Sequence, residues 1–135
     1  MKEISMEART ENIDAITDFI NAGLEALDCP LKAQTQIDVA VDEILANISS
    51  YAYAPGVGTV TVRFEAEADP PAAVITFMDT GIPFDPLQNA DPDISLPAEA
   101  REVGGLGVFL VRRIMDEVRY EHRDGMNVLQ IKKYF

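Results

Sequence analysis

The sequence predicts an α+β domain: a two-layer sandwich with helices on one face of a mostly antiparallel, mixed sheet. One observation is length, because 135 residues are enough for one domain with its own core. A second is that two stretches with apolar residues at helical spacing come first in the chain. A third is that two pairs of strand-like stretches follow, separated by a long segment and a third helix.

The first half of the chain contains a short strand and two helices. Residues 2–8 form the predicted first strand. The first helix covers residues 11–27, with Thr10 as its N-cap and isoleucines or leucines recurring every three or four positions. Residues 28–30, Asp-Cys-Pro, end this helix. The second helix covers residues 31–53 and carries an apolar stripe as wide as that of a core-facing helix.

Strands dominate the second half. Residues 59–64 alternate between polar and apolar side chains, and residues 73–78 are a nearly continuous apolar run. The two stretches predict a hairpin whose second strand is central. Residues 82–103 contain four prolines and little periodicity, which is typical of a lid or binding segment. A glycine-rich helix start follows, and Asp124-Gly125 is the predicted turn of a second hairpin.

Composition limits the partners and the compartment. Eleven Lys and Arg oppose 23 Asp and Glu, giving a net charge of −12 that repels phosphate backbones and anionic membranes. We therefore predict no direct nucleic-acid partner and no membrane partner. No apolar run reaches the about 18 residues of a membrane span. The lone Cys29 cannot form an internal disulfide, so a reducing cytoplasm is the predicted compartment.

Asp79 ends the predicted central strand, in the string Asp79-Thr80-Gly81. A carboxylate at a buried strand end needs hydrogen-bond donors, and the amino group of adenine is one. Gly81 would allow the backbone to pass close to a flat base. Two other interpretations stay open at this point. One is a strand-to-loop turn in which Asp79 accepts local amides, and the other is half of the catalytic dyad of a dimeric aspartic protease.

Glu43 and Asn47 lie four residues apart, and so on one face of the second helix, at the flank of its apolar stripe. An amide oxygen can ligate Mg²⁺, and a carboxylate one turn away can polarise a hydroxyl group or a water molecule. Asn47 is therefore the candidate metal ligand and Glu43 the candidate catalytic base. The alternative for this pair is a solvated helix edge.

The glycine-rich string Gly104-Gly105-Leu106-Gly107 opens the third helix. Free backbone amides and the positive end of the helix dipole predict an anion site here. The string has neither the spacing of the dinucleotide fingerprint nor the Lys-Ser/Thr of a phosphate-binding loop. A hinge without a ligand is the alternative. Arg101 is a cation that could reach a terminal phosphate, or a plain surface arginine.

In this order the motifs resemble the ATPase superfamily shared by gyrases, chaperones, sensor histidine kinases and mismatch-repair proteins. The strings VDEILANISSYAY, FMDTGIPFDP and GGLGVFLVRRIMDEVRYEHRDGMNVLQI look most like the small stand-alone anti-sigma-factor serine kinases. The resemblance implies a Bergerat-type ATP-binding fold: one histidine kinase-like ATPase domain over residues 1–135 with a lid at about 82–103.

The same resemblance implies an ATP- and Mg²⁺-dependent protein serine/threonine kinase that regulates transcription from the cytoplasm. It would sequester a sigma factor and phosphorylate a serine of a small antagonist protein. A homodimer is expected, formed through the side of the sheet that carries the first strand. The alternative is a nucleotide-gated partner switch without kinase activity.

Carried over residue by residue, the resemblance makes Glu43 the general base and Asn47 the magnesium ligand. Asp79 becomes the carboxylate that recognises adenine, with Gly81 beside it. The phosphate-binding residues would then be Arg101, Gly104, Gly105, Leu106 and Gly107.

Three positions depart from the wider superfamily. Pro83 replaces a glycine, but a Gly-x-Pro-Phe-Asp-Pro string is familiar in the stand-alone kinases and narrows the match to them. Tyr51 stands where many relatives have histidine, and Met126-Asn127 where many have Gly-Thr. Tyr51 and Asn127 therefore make nucleotide affinity and turnover the properties to measure.

Overall fold

The residues that the structure describes form a five-stranded antiparallel sheet with helices on one face. The computed structural model describes residues 1–49, 56–83 and 105–135. In chain order these residues form β1 (Lys2–Glu7), a 3-10 turn (Thr10–Asn12), α1 (Ile13–Ala26), α2 (Leu31–Asn47), β2 (Thr59–Ala68), β3 (Pro71–Asp79), α3 (Gly105–Ile114), β4 (Glu117–Arg123) and β5 (Met126–Tyr134). The strand order is β1-β2-β3-β5-β4, and each neighbouring pair is antiparallel. The predicted α+β class is confirmed, and the described strands contain no parallel pair.

The core lies between the helices and one face of the sheet. Ile75 and Phe77 of β3 point into the same apolar cluster as the buried faces of α1 and α2. Each such side chain contributes about 1.5–3 kcal/mol by leaving water. The largest fully buried side chains are Phe77, Ile16, Ile20, Leu24, Ile37, Leu45, Ile75, Ile131, Val41, Val60 and Val62. The helical and alternating patterns of the sequence therefore point to the observed core.

The opposite face of the sheet carries polar and charged side chains. Arg63 pairs with Glu3 across β1 and β2 at 2.5 Å, and Lys132 of β5 pairs with Glu67 of β2 at 2.6 Å. Such solvent-accessible pairs contribute little to stability, because water screens the charges. Val74 of β3, the strand between β2 and β5, lies on this face and is nevertheless buried. Burial on both faces explains why the β3 sequence is an unbroken apolar run and not an alternating one.

The start of α1 differs from the prediction. Thr10 lies inside the 3-10 turn, and no side chain caps the helix that follows. The Asn12 side chain instead donates from Nδ2 to the Glu7 carbonyl at 2.9 Å, tying the turn to the end of β1. Because the tight turn comes before α1, Thr10 lies two residues before Asn12, which occupies the N-cap position.

The second helix is shorter as an α-helix than predicted. It ends at Asn47, and the chain continues in a wider π-type turn at residues 48–49. The rest of the predicted helix, residues 50–53 with Tyr51, lies outside the described residues, as does nearly all of the predicted lid, residues 84–103. No helix within the described ranges is long and apolar enough to cross a membrane.

The fold also decides one alternative for Asp79. An aspartic protease of the Asp-Thr-Gly type needs a nearly all-strand architecture, whereas α1, α2 and α3 account for a large part of this chain and cover one face of its sheet. The protease interpretation is therefore wrong.

Candidate functional site

Asp79 is a buried carboxylate at the end of the central strand. It is 5% exposed, and it faces Val60 of β2 on one side and Asn127 of β5 on the other. Its Oδ1 atom accepts two hydrogen bonds, from the Gly81 backbone N–H at 2.9 Å and from Asn127 Nδ2 at 2.9 Å. The Oδ2 atom accepts none from the described residues. The expected turn bond to a local amide is thus present, and it uses only one of the two oxygens.

The segment that follows, residues 79–82, is called the Asp79 turn below. Asn127 holds both of its ends, because Nδ2 also donates to the Ile82 carbonyl at 2.9 Å and lies 3.4 Å from the Gly81 carbonyl. On its other side the Asn127 amide oxygen is hydrogen-bonded to the Tyr120 hydroxyl of β4. Asn127 is itself 6% exposed. The turn is therefore fixed from within the sheet by a residue of the neighbouring strand.

Glu43 and Asn47 form a second polar pair, at the C-terminal part of α2. Both are half-buried, and Ile44 and Leu45 between them are buried in the core. The pair therefore flanks the apolar stripe, as the sequence predicts, with about 6 Å of helix rise between the two positions. Neither side chain forms a hydrogen bond or ion pair with the part of the chain that the structure describes. Their oxygens are available to a cation or a hydroxyl group.

The glycine-rich string is a helix start. α3 begins at Gly105, so Leu106 and Gly107 lie in its first turn, where backbone N–H groups lack intrahelical acceptors. Gly104 and Arg101 lie outside the described residues. At the other end of α3, Lys133 Nζ donates to the Ile114 carbonyl at 2.8 Å. A cation at that end and free amides at the start suit the helix dipole, which favours an anion at the N-terminus.

A second carboxylate, Asp38, lies between α1 and α2 and has a different environment. Its Oδ2 receives a long hydrogen bond of 3.5 Å from Asn21 Nδ2, and its buried Oδ1 has no partner among the described residues. Burial raises the pKa of Asp38, and the bond from Asn21 opposes that shift only in part. Burial, together with the Asp38 charge, also raises the pKa of the Cys29 thiol.

Within the described residues no group of three or more His, Cys, Asp or Glu side chains is arranged to hold a metal ion. The described residues by themselves therefore do not form a complete ligand set for a divalent cation. Asn47 supplies one hard oxygen of the type that Mg²⁺ prefers, and nucleotide phosphates characteristically supply others. The half-buried Asn47 amide oxygen therefore fits one position in the ligand shell of a Mg²⁺ ion.

The structure joins some of the predicted residues and adds two. It places Asp79 and Gly81 in one hydrogen-bonded cluster with Asn127, which the sequence identifies only as a departure from relatives. The sequence motifs do not identify Tyr120 as part of the site. The hairpin register could have identified Tyr120. Residue 122 is paired with Asn127, so residue 120, on the same face of the sheet, is the diagonal neighbour of Asn127.

Comparison with known proteins agrees with this architecture. The family model for the histidine kinase-like ATPase domain matches residues 6–133. A serine-protein kinase RsbW from Bacillus cereus is 34% identical over 98 residues, and one from Bacillus mycoides is 30% identical over 96 residues. Each match covers 70% of this chain and 60% of the relative, so the chain spans 60% of the length of these relatives.

A solved structure shares the fold. The crystal structure of the RsbU and RsbW domains of a Mycobacterium tuberculosis protein matches with a TM-score of 0.68 at 14% identity, covering 98% of this chain and 32% of that one. The likeness extends over nearly all of the chain, as does the family match over residues 6–133. The chain belongs to the family of histidine kinase-like ATPase domains.

Proposed function

We propose that this protein is an ATP-binding serine/threonine protein kinase that acts as an anti-sigma factor. It phosphorylates a serine of a small antagonist protein in one state and sequesters a sigma factor in another. The observation that carries the nucleotide part is Asp79, a buried carboxylate with one oxygen held by the protein and the other left for a donor. The names of the relatives, serine-protein kinases, support the kinase part.

In this proposal Asp79 accepts a hydrogen bond from the amino group of adenine through Oδ2. Gly81 lies beside the base, where a glycine allows close approach. The phosphates lie at the start of α3, against the amides of Gly104, Gly105, Leu106 and Gly107, with Arg101 on the terminal phosphate. The helix dipole and the free N–H groups of a helix start both favour this placement of negative charge.

Asn47 would hold Mg²⁺, which neutralises phosphate charge when it is bound. Glu43, one turn earlier on α2, would accept the proton of the acceptor serine. As the serine oxygen forms its bond to the γ-phosphorus, the bond from that phosphorus to the bridging oxygen breaks and ADP leaves. Such transfers depend mainly on positioning and charge neutralisation. The absence of hydrogen bonds from described residues to Glu43 supports a base that is ready to take a proton.

The remaining parts of the proposal concern assembly. We propose one domain over residues 1–135, with residues 82–103 as a lid that excludes water, acting in the cytoplasm without direct nucleic-acid or membrane contact. The proposed homodimer forms through β1. Among the described strands β1 pairs only with β2, so its outer edge presents backbone groups that a second copy can pair.

Nucleotide binding tests the first part. Calorimetry with Mg-ADP and Mg-ATP should give binding to the parent and a loss of at least about tenfold for Asp79→Asn, since that change replaces one of the acceptors with a donor. Asp42→Asn is the matched control, because Asp42 is an exposed carboxylate of α2. No binding by the parent, with Asp79→Asn behaving identically, refutes the proposal.

Phosphate transfer tests the second part and separates it from a nucleotide-gated switch. Glu43→Gln should abolish transfer from labelled ATP to a small antagonist protein encoded beside the gene, while ATP affinity stays within about twofold, because Glu43 is proposed to act only on the serine proton. The departures at Tyr51 and Asn127 are the observations that keep the switch as the alternative. Nucleotide binding without transfer by the parent favours it.

A further inference from the structure

Asn127 makes more hydrogen bonds to the site than any other described side chain, yet the proposed chemistry gives it no role. It faces Asp79 directly across β3 and β5, and both side chains are buried. Its Nδ2 group lies 2.9 Å from Asp79 Oδ1, 2.9 Å from the Ile82 carbonyl and 3.4 Å from the Gly81 carbonyl. One side chain on a neighbouring strand therefore contacts three of the four residues of the Asp79 turn.

These contacts determine which way the Asn127 amide faces. A carboxylate and two carbonyl groups are all acceptors, so only the NH₂ side of the amide can face them. The amide oxygen must then face Tyr120, whose hydroxyl donates the hydrogen bond that joins them. The result is a directed series of donors, from Tyr120 to Asn127 to Asp79, in which a reversed amide would place acceptor against acceptor.

The series also fixes the Asp79 carboxylate. Oδ1 accepts from Gly81 N–H and from Asn127 Nδ2, both at 2.9 Å, so rotation about the bond to the carboxyl group would break two hydrogen bonds at once. Only Oδ2 remains to meet a ligand. The two hydrogens of Asn127 are directed at Asp79 and Ile82, so that amide has none to offer a ligand oxygen at the same place.

We propose that Asn127, oriented by Tyr120, is a positioning residue that makes the Asp79 site selective for 6-amino over 6-oxo purines. The inference depends on the proposed nucleotide site. A fixed carboxylate with only Oδ2 open offers one acceptor, which suits the amino group of adenine and opposes the carbonyl oxygen of hypoxanthine or guanine. A carboxylate that is free to turn could also accept the N1–H of a 6-oxo purine. Loss of Asn127 should therefore weaken selectivity as well as affinity.

The test compares ADP with inosine diphosphate by calorimetry. Asn127→Leu keeps the approximate volume and removes the amide, and Tyr120→Phe removes only the hydroxyl group. We expect Asn127→Leu to lower ADP affinity about 10- to 100-fold, the factor expected when a buried hydrogen-bonding partner is lost, and to reduce the ADP to inosine diphosphate affinity ratio at least about tenfold. Tyr120→Phe should change both in the same direction but less. A folded Asn127→Leu protein with unchanged affinity and ratio overturns the proposal.

Gln130→Leu is the matched control. Gln130 also joins β5 to β3, because its side chain donates to Thr76 Oγ1 at 3.2 Å. It lies three residues after Asn127 on the same strand, so its side chain is on the other face of the sheet. Its loss should leave both nucleotide measurements unchanged. Equal effects of the two leucine substitutions would mean that Asn127 acts only through sheet stability, and would overturn the positioning role.

A measurement without nucleotide separates this inference from the proposed function. The Gly81 amide donates to Asp79 Oδ1, the same oxygen that accepts from Asn127. Hydrogen exchange of the Gly81 amide, measured by NMR, should therefore accelerate at least about tenfold in Asn127→Leu and less in Tyr120→Phe. If the parent binds no adenine nucleotide, the proposed function and the selectivity claim both fail, and this exchange alone decides whether Asn127 positions the turn. If the parent binds ADP and neither exchange nor the affinity ratio responds, only the present inference fails.

Discussion

Asp38 should destabilise the folded protein at neutral pH, and replacing it with asparagine should make the protein more stable. The carboxylate lies between α1 and α2 with its buried Oδ1 unpartnered by the described residues and a single long bond of 3.5 Å to Oδ2. Leaving a buried polar group without a partner costs about 1–3 kcal/mol, and more when the group is charged, so a neutral amide of the same shape should cost less than the carboxylate. Asp38 is only half-buried, so water screens part of its charge, and we expect the lower end: a gain of about 1 kcal/mol for Asp38→Asn at pH 7.5.

The stability gained by Asp38→Asn should increase as the pH rises. Because burial raises the pKa of Asp38 in the folded state, the protonated carboxyl is stabilising and the ionised one is not. The stabilising contribution is fully present below the unfolded-state pKa of about 3.9 and is lost as the pH rises through the raised folded-state value. The advantage of Asp38→Asn should thus be full at pH 7.5 and nearly absent at about pH 4.

Urea titrations followed by circular dichroism at the two pH values measure this difference, with equal m values for the two proteins as the check on two-state unfolding. At pH 7.5 the melting temperature should rise by roughly 3–4 °C. Asp42→Asn removes the same charge from an exposed position of the same helix and should change stability by less than about 0.5 kcal/mol. An Asp38→Asn protein that is less stable, or equally stabilised at both pH values, would refute the reasoning.

Three further predictions concern a glycine contact in the core, a hydrogen bond at the end of α3 and the reactivity of Cys29. Gly23→Ala should lower the free energy of unfolding in urea by about 1 kcal/mol, because the new Cβ would lie 2.7 Å from the Phe64 ring. The overpacking cost of about 1–3 kcal/mol exceeds the gain in helix propensity. A more stable Gly23→Ala protein would contradict this prediction. Lys133→Met should lose about 1 kcal/mol by removing the donor to the last carbonyl of α3, and an unchanged urea midpoint would show that water replaces it. Cys29 should react with a thiol reagent more slowly at pH 8 than an exposed cysteine, and faster in Asp38→Asn, because burial and the Asp38 charge raise its pKa; equal rates in both proteins would refute this.

The parts of the fold that could be predicted are those encoded locally. The spacing of Ile16, Ile20 and Leu24 predicts the buried face of α1, and the unbroken apolar run before Asp79 predicts the central position of β3. Asp79 also marks the end of that strand, and the glycine-rich string marks the start of α3. Each of these signals depends on residues within a few positions of one another.

The parts that could not be predicted depend on contacts between distant segments. The Asn127–Asp79 hydrogen bond joins residues 48 positions apart, so its existence follows only from β5 pairing with β3. Without that pairing, Asn127 is only a mismatch to relatives and Tyr120 an ordinary strand residue. Thr10 fails for a local reason, because sequence does not distinguish a 3-10 turn before α1 from the first turn of the helix itself.

The strand order has a consequence for how the protein folds. β2 with β3 and β4 with β5 are hairpins of neighbouring segments, which form within microseconds. The β3–β5 pairing must close a long loop first, and such closure is the slow, entropically costly step. Asp79 lies on one hairpin and Asn127 on the other, so neither hairpin alone contains the held carboxylate. We expect the chain to form this site only when the two hairpins dock. The ability to bind an adenine nucleotide should therefore appear late in folding, when the sheet is complete.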